Sequence, residues 1–178
     1  SAGNFHTCAL LEGGDVKCWG DGSKGALGQD STAKVGDGAG EMGDNLTAID
    51  LGTDRTATAI SAGYYHTCAL LDNGNVKCWG TGLFGRLGQD STVHFGRTES
   101  ESQPEPLPMA SLDAINLGTG RTATAISAGK QHTCALLDTV DLAGNVTATG
   151  EVKCWGRGNN GQLGQGNSQD VGKTSFGE

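Results

Sequence analysis

The residues of this chain best suited to chemistry are three His-x-Cys triplets, each followed by a second cysteine. The histidines are His6, His66 and His132, and the cysteine pairs are Cys8/Cys18, Cys68/Cys78 and Cys134/Cys154. One histidine with two thiolates would supply three zinc ligands, whereas two cysteines facing each other across paired strands would form a disulfide. We favour disulfides and no metal, because structural zinc usually takes four ligands. Each histidine then has a structural role, hydrogen-bonded to a loop.

The segment between the second pair of cysteines predicts a tight β-hairpin. Leu71 to Asn75 suits a three-residue loop with Gly74 in the left-handed conformation. Pairing Leu71 with Asn75 then places Cys68 opposite Cys78 at a non-hydrogen-bonded site, where Cα atoms approach to about 4.5 Å. Gly14 can close the same loop in the first copy. In the third copy ten extra residues separate the cysteines, and residues 139–149 are interpreted as the same hairpin with a longer tip.

These hairpins belong to a sequence repeat. Residues 1–32 match residues 61–92 at 23 of 32 positions, and a third copy starts at Ser127. A second shared block, residues 46–60 and 112–126, is identical at 12 of 15 positions. We therefore expect repeat units at 1–60, 61–126 and 127–178, the last incomplete at its C-terminal end. Such a period is typical of solenoids, propellers and arrays.

Four short runs per repeat are predicted to be strands. One such set is residues 48–51, 57–62, 66–71 and 76–80, each bounded by glycine, asparagine or aspartate. No window has a sustained helical period of apolar residues. The predicted class is all-β, with three tandem four-stranded antiparallel blades of a propeller.

The motifs His-x-Cys-Ala-Leu, Lys-Cys-Trp-Gly and Gly-x-Leu-Gly-Gln resemble the repeat of the regulator-of-chromosome-condensation family over nearly the whole chain. With its cysteine pairs, the chain resembles a secreted, bacterial-type member. The resemblance implies a propeller of about seven blades. Three copies do not close such a ring, so we expect part of a larger propeller or a protomer whose open ends are completed by other chains.

Composition excludes several classes of partner. A net charge of −8 and a pI of about 4.8 disfavour nucleic acid and anionic lipid. No apolar stretch approaches the ~18 residues needed to span a bilayer, so no membrane insertion is expected. Six cysteines at paired spacings indicate an oxidising compartment, and we predict a secreted or cell-surface protein. Guanine-nucleotide exchange, the activity of nuclear family members, is disfavoured by that compartment.

No pattern of catalytic residues stands out. The sequence has no nucleophile elbow, phosphate-binding loop or metalloprotease motif, and three identical sites do not suit catalysis. We therefore predict no enzyme activity, no catalytic residues and no cofactor. The acidic segment 37–50, with Glu41 and Asp44, allows a calcium site, but its spacing is not that of an EF-hand and we favour a solvated loop. Residues 97–108 are interpreted as a flexible polar insertion.

The tryptophans that follow the second cysteine of each pair, Trp19, Trp79 and Trp155, are predicted to pack between adjacent blades. A ligand platform or a photoreceptor role, as in a plant branch of the family, is the alternative.

Positions that differ between copies, within an otherwise constant frame, are the candidate binding residues. They are Asn4, Phe5, Tyr64, Tyr65, Leu83, Phe84, Arg86, Lys130 and Gln131. A rigid frame with variable loop residues is typical of a binding face, although neutral variation at exposed turns gives the same pattern. The predicted function is a non-enzymatic scaffold for a protein or glycan partner; a secreted inhibitor of β-lactamase in the family makes a protein target plausible by analogy. The alternative is a structural subunit of a filament or ring, assembled head-to-tail with further copies of itself.

Overall fold

A computed structural model describes residues 1–97 and 107–173 of the chain. It consists of short antiparallel strands joined by turns, with three single-turn 3-10 segments at Gly43–Asn45, Leu83–Gly85 and Met109–Ser111. The strands of this described part are β1 (His6–Leu10), β2 (Val16–Gly20), β3 (Ala57–Ala62), β4 (His66–Leu71), β5 (Val76–Gly80), β6 (Arg121–Ala128), β7 (His132–Val140) and β8 (Val146–Gly156). None of the helical segments found there has the length and apolar character needed to cross a membrane.

The strands form three antiparallel sheets, as the sequence predicted. Their strand orders are β1-β2, β3-β4-β5 and β6-β7-β8. β3 and β6 are the first strands of the second and third sheets. In the first sheet, the corresponding place beside β1 is taken by an isolated bridge between Ala2 and Thr7. The repeat boundaries at 60/61 and 126/127 fall inside β3 and β6, so each three-stranded sheet takes its first strand from the end of one sequence repeat and the others from the next.

The prediction of four strands per blade is wrong for the first of the four runs, residues 48–51. Residues 48–51 do not form a ladder with a neighbour; they make one backbone hydrogen bond to the sheet, from Ile49 N to Val16 O at 2.8 Å. The reason is local, because the Asp50 carboxylate accepts from Gly52 N at 2.8 Å and turns the chain before a second rung can form. Ile49 is nevertheless buried, so the run still covers the outer edge of the sheet.

The hairpin predictions are confirmed. Leu71 N donates to Asn75 O at 2.8 Å, and Gly74 N donates to Leu71 O at 3.0 Å with Gly74 in the left-handed region (φ 78°). In the third copy β7 and β8 extend the pairing to Val140 and Val146 before the chain turns. The ten additional residues therefore lengthen the hairpin and leave the register of the cysteines unchanged.

Candidate binding face and the contacts between blades

All six cysteines are joined in the predicted pairs. Cys8–Cys18, Cys68–Cys78 and Cys134–Cys154 are bonded, with a Cα–Cα distance of 4.1 Å in each pair. Each pair lies directly opposite in the strand register. Because their sulfurs are bonded to each other, these cysteines do not supply thiolate ligands, and the zinc alternative does not hold.

The histidines of the first two copies each contact the following copy. His6 Nε2 lies 2.8 Å from Thr67 Oγ1, and the Thr67 hydroxyl donates to Ala26 O at 2.9 Å. A hydroxyl has one hydrogen, so His6 Nε2 must carry the proton and donate to the threonine. The partner of the histidine is therefore a strand residue of the next copy, where the sequence had suggested a loop.

The arrangement recurs one copy further along. His66 Nε2 lies 3.0 Å from Thr133 Oγ1, and the Thr133 hydroxyl donates to Arg86 O at 3.1 Å. His66 and Thr133 are both completely buried. The same geometry at two junctions explains why the copies share their histidine and threonine.

Burial keeps these histidines neutral. Loss of solvation lowers the pKa of His6 to about 4 and that of His66 to about 3, with the nearby charge of Arg86 adding to the shift at His66. Within the described residues neither Nδ1 has a hydrogen-bond partner. Burial also lowers the pKa of His132. A neutral ring protonated at Nε2 is the state that the threonine contact requires.

Tryptophan completes each junction. Trp79 Nε1 donates to Ala26 O at 3.0 Å and Trp155 Nε1 donates to Arg86 O at 3.0 Å, so one carbonyl accepts from both the threonine and the tryptophan. Both indoles are fully buried, whereas Trp19 in the first copy is partly exposed. We call the histidine, threonine, tryptophan and shared carbonyl of a junction the inter-blade latch.

Glycine is required beside the latch histidines. A Cβ at Gly63 would lie 2.3 Å from His66 Cε1 and 2.6 Å from Gly129 O, and one at Gly3 would lie 2.6 Å from His6 Cε1. No side chain fits at such distances. The constant Ser-Ala-Gly of the repeat therefore leaves room for the histidine ring.

The variable residues beside these glycines come together as an exposed cluster. Phe5 stacks on Tyr65 at 5.1 Å and meets the edge of Tyr64 at 5.4 Å, and the two tyrosines are 4.6 Å apart. Lys130 Nζ lies 5.1 Å from the centroid of Tyr64. Phe5 is 45% exposed. We call Phe5, Tyr64, Tyr65 and Lys130 the aromatic cluster.

A shallow groove of about 400 Å³ runs beside the aromatic cluster. It is lined by the same three-residue turn of each copy, residues 2–4, 62–64 and 128–130. Asn4, the remaining variable residue of the first copy, is therefore at this groove.

A second group of variable residues surrounds Phe84. The guanidinium carbons of Arg157 and Arg86 lie 4.8 and 5.5 Å from the centroid of its ring, and Lys173 Nζ lies 5.8 Å away. We call Phe84, Arg86, Arg157 and Lys173 the cation cluster. Leu83, next to it, is 47% exposed.

Gln131 connects the two groups. Its Oε1 accepts from Arg157 Nη1 at 2.6 Å, while its chain neighbour Lys130 belongs to the aromatic cluster. Thr81, which begins the turn that carries Phe84, donates its N–H to Tyr65 O at 2.9 Å. The variable positions named from the sequence therefore lie in two linked groups, in which Arg86 is buried; we call the exposed and partly exposed members the variable face.

Sequence reasoning missed four residues that matter at these sites. Thr67 and Thr133 follow His66 and His132, and a threonine at the same position of every copy is the sequence signal for them. Arg157 lies in a turn that differs between copies, which is its sequence signal. Lys173 gave no signal, because only the fold brings it to Phe84.

In the acidic segment 37–50, the carboxylate of Glu41 accepts hydrogen bonds from nearby backbone N–H groups. Glu41 Oε2 accepts from Gly36 N at 2.7 Å and from Gly38 N at 2.8 Å, and these bonds lower the pKa of that carboxyl. Across residues 1–97 and 107–173, no three His, Cys, Asp or Glu side chains are grouped so as to hold a metal ion. Most of the polar insertion, residues 98–106, lies outside the described residues.

Comparison with known proteins identifies the family. Two models described as the regulator of chromosome condensation (RCC1) repeat match the chain, one at residues 1–26 and 57–86 and the other at residues 73–136. The chain belongs to the RCC1 repeat family. The matched residues include the histidine, cysteine and tryptophan positions of the first two copies.

Relatives match almost the whole chain. It is 33% identical over 171 residues to the ultraviolet-B receptor UVR8 of Arabidopsis thaliana, covering 96% of this chain and 32% of that protein. It is 31% identical over 165 residues to the regulator of chromosome condensation of Drosophila melanogaster, covering 93% of this chain and 24% of that protein. The solved structure of Prp20p from Saccharomyces cerevisiae aligns with a TM-score of 0.64 at 21% identity, covering 96% of this chain and 36% of that one. The fold is therefore that of RCC1 propellers, and the chain spans about a third of the first relative.

Proposed function

We propose that this chain supplies blades of a secreted, non-enzymatic propeller whose variable face binds a protein partner. One observation carries the proposal: the constant histidine, threonine and tryptophan are buried in the contacts between copies, whereas the variable residues other than Arg86 are at least partly exposed and lie in two linked groups. Interfaces are rich in aromatic residues and arginine, which are the types found there.

The disulfides support an oxidising compartment outside the cytosol. All six cysteines of the chain are paired, and such bonds persist in secreted and cell-surface proteins. A chain with short strands and 31 glycines gains much of its rigidity from these cross-links. A rigid frame in turn suits a scaffold that presents a fixed surface.

The relatives support a protein partner over other classes. The work on Prp20p describes its binding to Gsp1p and histones, which are proteins. The net charge of −8 disfavours nucleic acid for this chain. A glycan ligand is the outcome that the experiment below would separate from a protein.

Quantitative affinity capture tests the proposal. Wild-type chain, a face variant carrying Phe5→Ser and Tyr64→Ser, and a control carrying Leu142→Ser and Val152→Ser are immobilised and exposed to the culture fluid of the source organism. Leu142 and Val152 are 109% and 64% exposed, so the control removes two apolar side chains away from the variable face.

We expect at least one protein that is retained by the wild type and the control and lost by the face variant. Retention of the same proteins by all three forms would contradict the proposal. Retention that persists after protease treatment of the fluid and disappears after glycosidase treatment would assign a glycan instead.

A further inference from the structure

The two arginines of the cation cluster donate hydrogen bonds to uncharged acceptors. Arg86 Nε donates to Leu83 O at 2.9 Å and Arg157 donates to Gln131, both uncharged acceptors. Asp170 is a carboxylate at the cluster: it forms a salt bridge with Lys173 at 2.6 Å and also interacts electrostatically with Arg157. Among residues 1–97 and 107–173, the salt bridges include neither Arg86 nor Arg157, so two guanidinium groups lie together on uncharged hydrogen-bond acceptors in a chain of net charge −8.

The cluster exists at one junction only. The residues that correspond to its four members at the first junction are Lys24, Ala26, Thr81 and Arg97, which provide two cations in place of three and no aromatic ring. Phe84 also adopts a left-handed backbone conformation (φ 66°, ψ 12°), which a bulky residue rarely takes and which neither Lys24 nor Asn160 adopts. The second junction therefore differs from the repeat pattern in both sequence and backbone.

The positive charges of Arg86 and Arg157 repel each other. Arg86 is only 2% exposed, and its pKa is lowered to about 10 by burial and, second, by the charge of Arg157. Two cations that disfavour each other stabilise an anion placed between them. Arg157 is partly exposed, so an anion from outside can reach its guanidinium.

We propose that the cation cluster receives an acidic side chain of the protein that binds the variable face, with the carboxylate held by the partly exposed Arg157 beside the ring of Phe84 and attracted by the buried charge of Arg86. This inference rests on the proposed function and names the chemistry of the partner. The cations converge on one ring, which suits a single carboxylate, whereas polyanionic glycans and nucleic acids are bound by extended tracks of cations. Gln131 links the site to the aromatic cluster, so an acidic residue flanked by apolar ones would engage both.

An NMR titration with defined peptides tests the site without a known partner. Acetylated, amidated tetraglutamate is added to the labelled chain, with tetraglutamine as the uncharged control. We expect saturable shifts of the amides of Phe84, Gln131 and Arg157 with tetraglutamate and none with tetraglutamine. Arg157→Gln should weaken binding about tenfold, the size of one charge-assisted contact.

Arg55→Gln is the matched control for the charge change. Arg55 is a similarly exposed arginine in a surface ion pair with Asp72, away from the cluster, and its replacement should leave peptide affinity unchanged. An unchanged thermal melt of both variants shows that the fold is intact. Absence of saturable shifts, or equal affinity in the wild type and Arg157→Gln, would overturn the proposal.

Two further outcomes separate this proposal from others. Binding of a heparin hexasaccharide far more tightly than tetraglutamate at the same amides would assign the cluster to sulfated glycans and overturn the carboxylate assignment. If peptide binding fails while capture by the variable face succeeds, only the acidic partner is wrong. If the variable face also fails to capture a protein, the proposed scaffold function is wrong as well.

Discussion

Thr133 is the residue whose replacement tests the inter-blade latch most directly. Valine has nearly the same shape as threonine but lacks the hydroxyl that lies between His66 Nε2, at 3.0 Å, and Arg86 O, at 3.1 Å. Thr133→Val therefore removes both hydrogen bonds with little change in packing. The latch predicts that this single change weakens the contact between the second and third copies.

The expected magnitude follows from the groups left behind. His66 is completely buried, so its Nε2–H keeps no solvent partner, which costs about 1 to 3 kcal/mol. The lost bond to Arg86 O adds about 1 kcal/mol, because that carbonyl still accepts from Trp155. We expect Thr133→Val to lower the free energy of unfolding by about 2 to 4 kcal/mol, a large part of the stability of an ordinary domain.

Urea denaturation with the disulfides intact measures the effect. A loss of that size shifts the midpoint by about 1 to 2 M urea. Thr7→Val is the matched control, since Thr7 is the corresponding residue of the first copy and is partly exposed. Equal destabilisation by the two substitutions would show that the hydroxyl of Thr133 has no special role and would refute the latch.

Three further predictions concern the same frame. Reducing the disulfides should lower the melting temperature markedly, because each closes a loop whose entropy is worth about 3 kcal/mol; an identical melt with and without reductant would contradict this. Gly63→Ala should destabilise the chain by about 1 to 3 kcal/mol or more, since its methyl would meet His66 Cε1 at 2.3 Å, whereas Gly13→Ala, with open space around it, should lose only about 1 kcal/mol to its left-handed backbone. Because the pKa of His66 is lowered to about 3 in the folded chain, the unfolded state binds the extra proton below about pH 6.5, and stability should fall as the pH drops from 6.5 towards 3. A His66→Gln variant should show a shallower fall over that window in denaturation curves, and parallel curves for the two proteins would count against a buried neutral histidine.

The contacts of the inter-blade latch run in the same direction along the chain at both junctions. At both junctions the histidine of one copy donates to the threonine of the next, and the threonine and tryptophan of that next copy donate to a single carbonyl of the preceding one. Contacts of this kind depend only on neighbouring copies, as in other repeat proteins. The variable side chains lie outside these contacts, and Arg86 takes part in the latch through its backbone carbonyl, so the residue types can change without loss of the frame.

The sequence by itself determined the elements that depend on local order. The cysteine register, the glycine-closed hairpins and the all-β class follow from spacing and turn chemistry, which act over a few residues. The same reasoning failed at residues 48–51, where the apolar pattern indicated a strand. There the Asp50 side chain competes with the ladder for the backbone, a balance that apolar spacing does not reveal.

Only the tertiary structure decided which residues from different copies meet. Thr67 and His6 are 61 residues apart, and Phe84 and Lys173 lie in turns of different copies. Their contacts arise because each sheet packs against the next, which brings a residue of one copy against a residue at a different position of the repeat in the neighbouring copy. Spacing along one strand therefore predicted the disulfides, while the latch and the cation cluster are set by the packing of one sheet against the next.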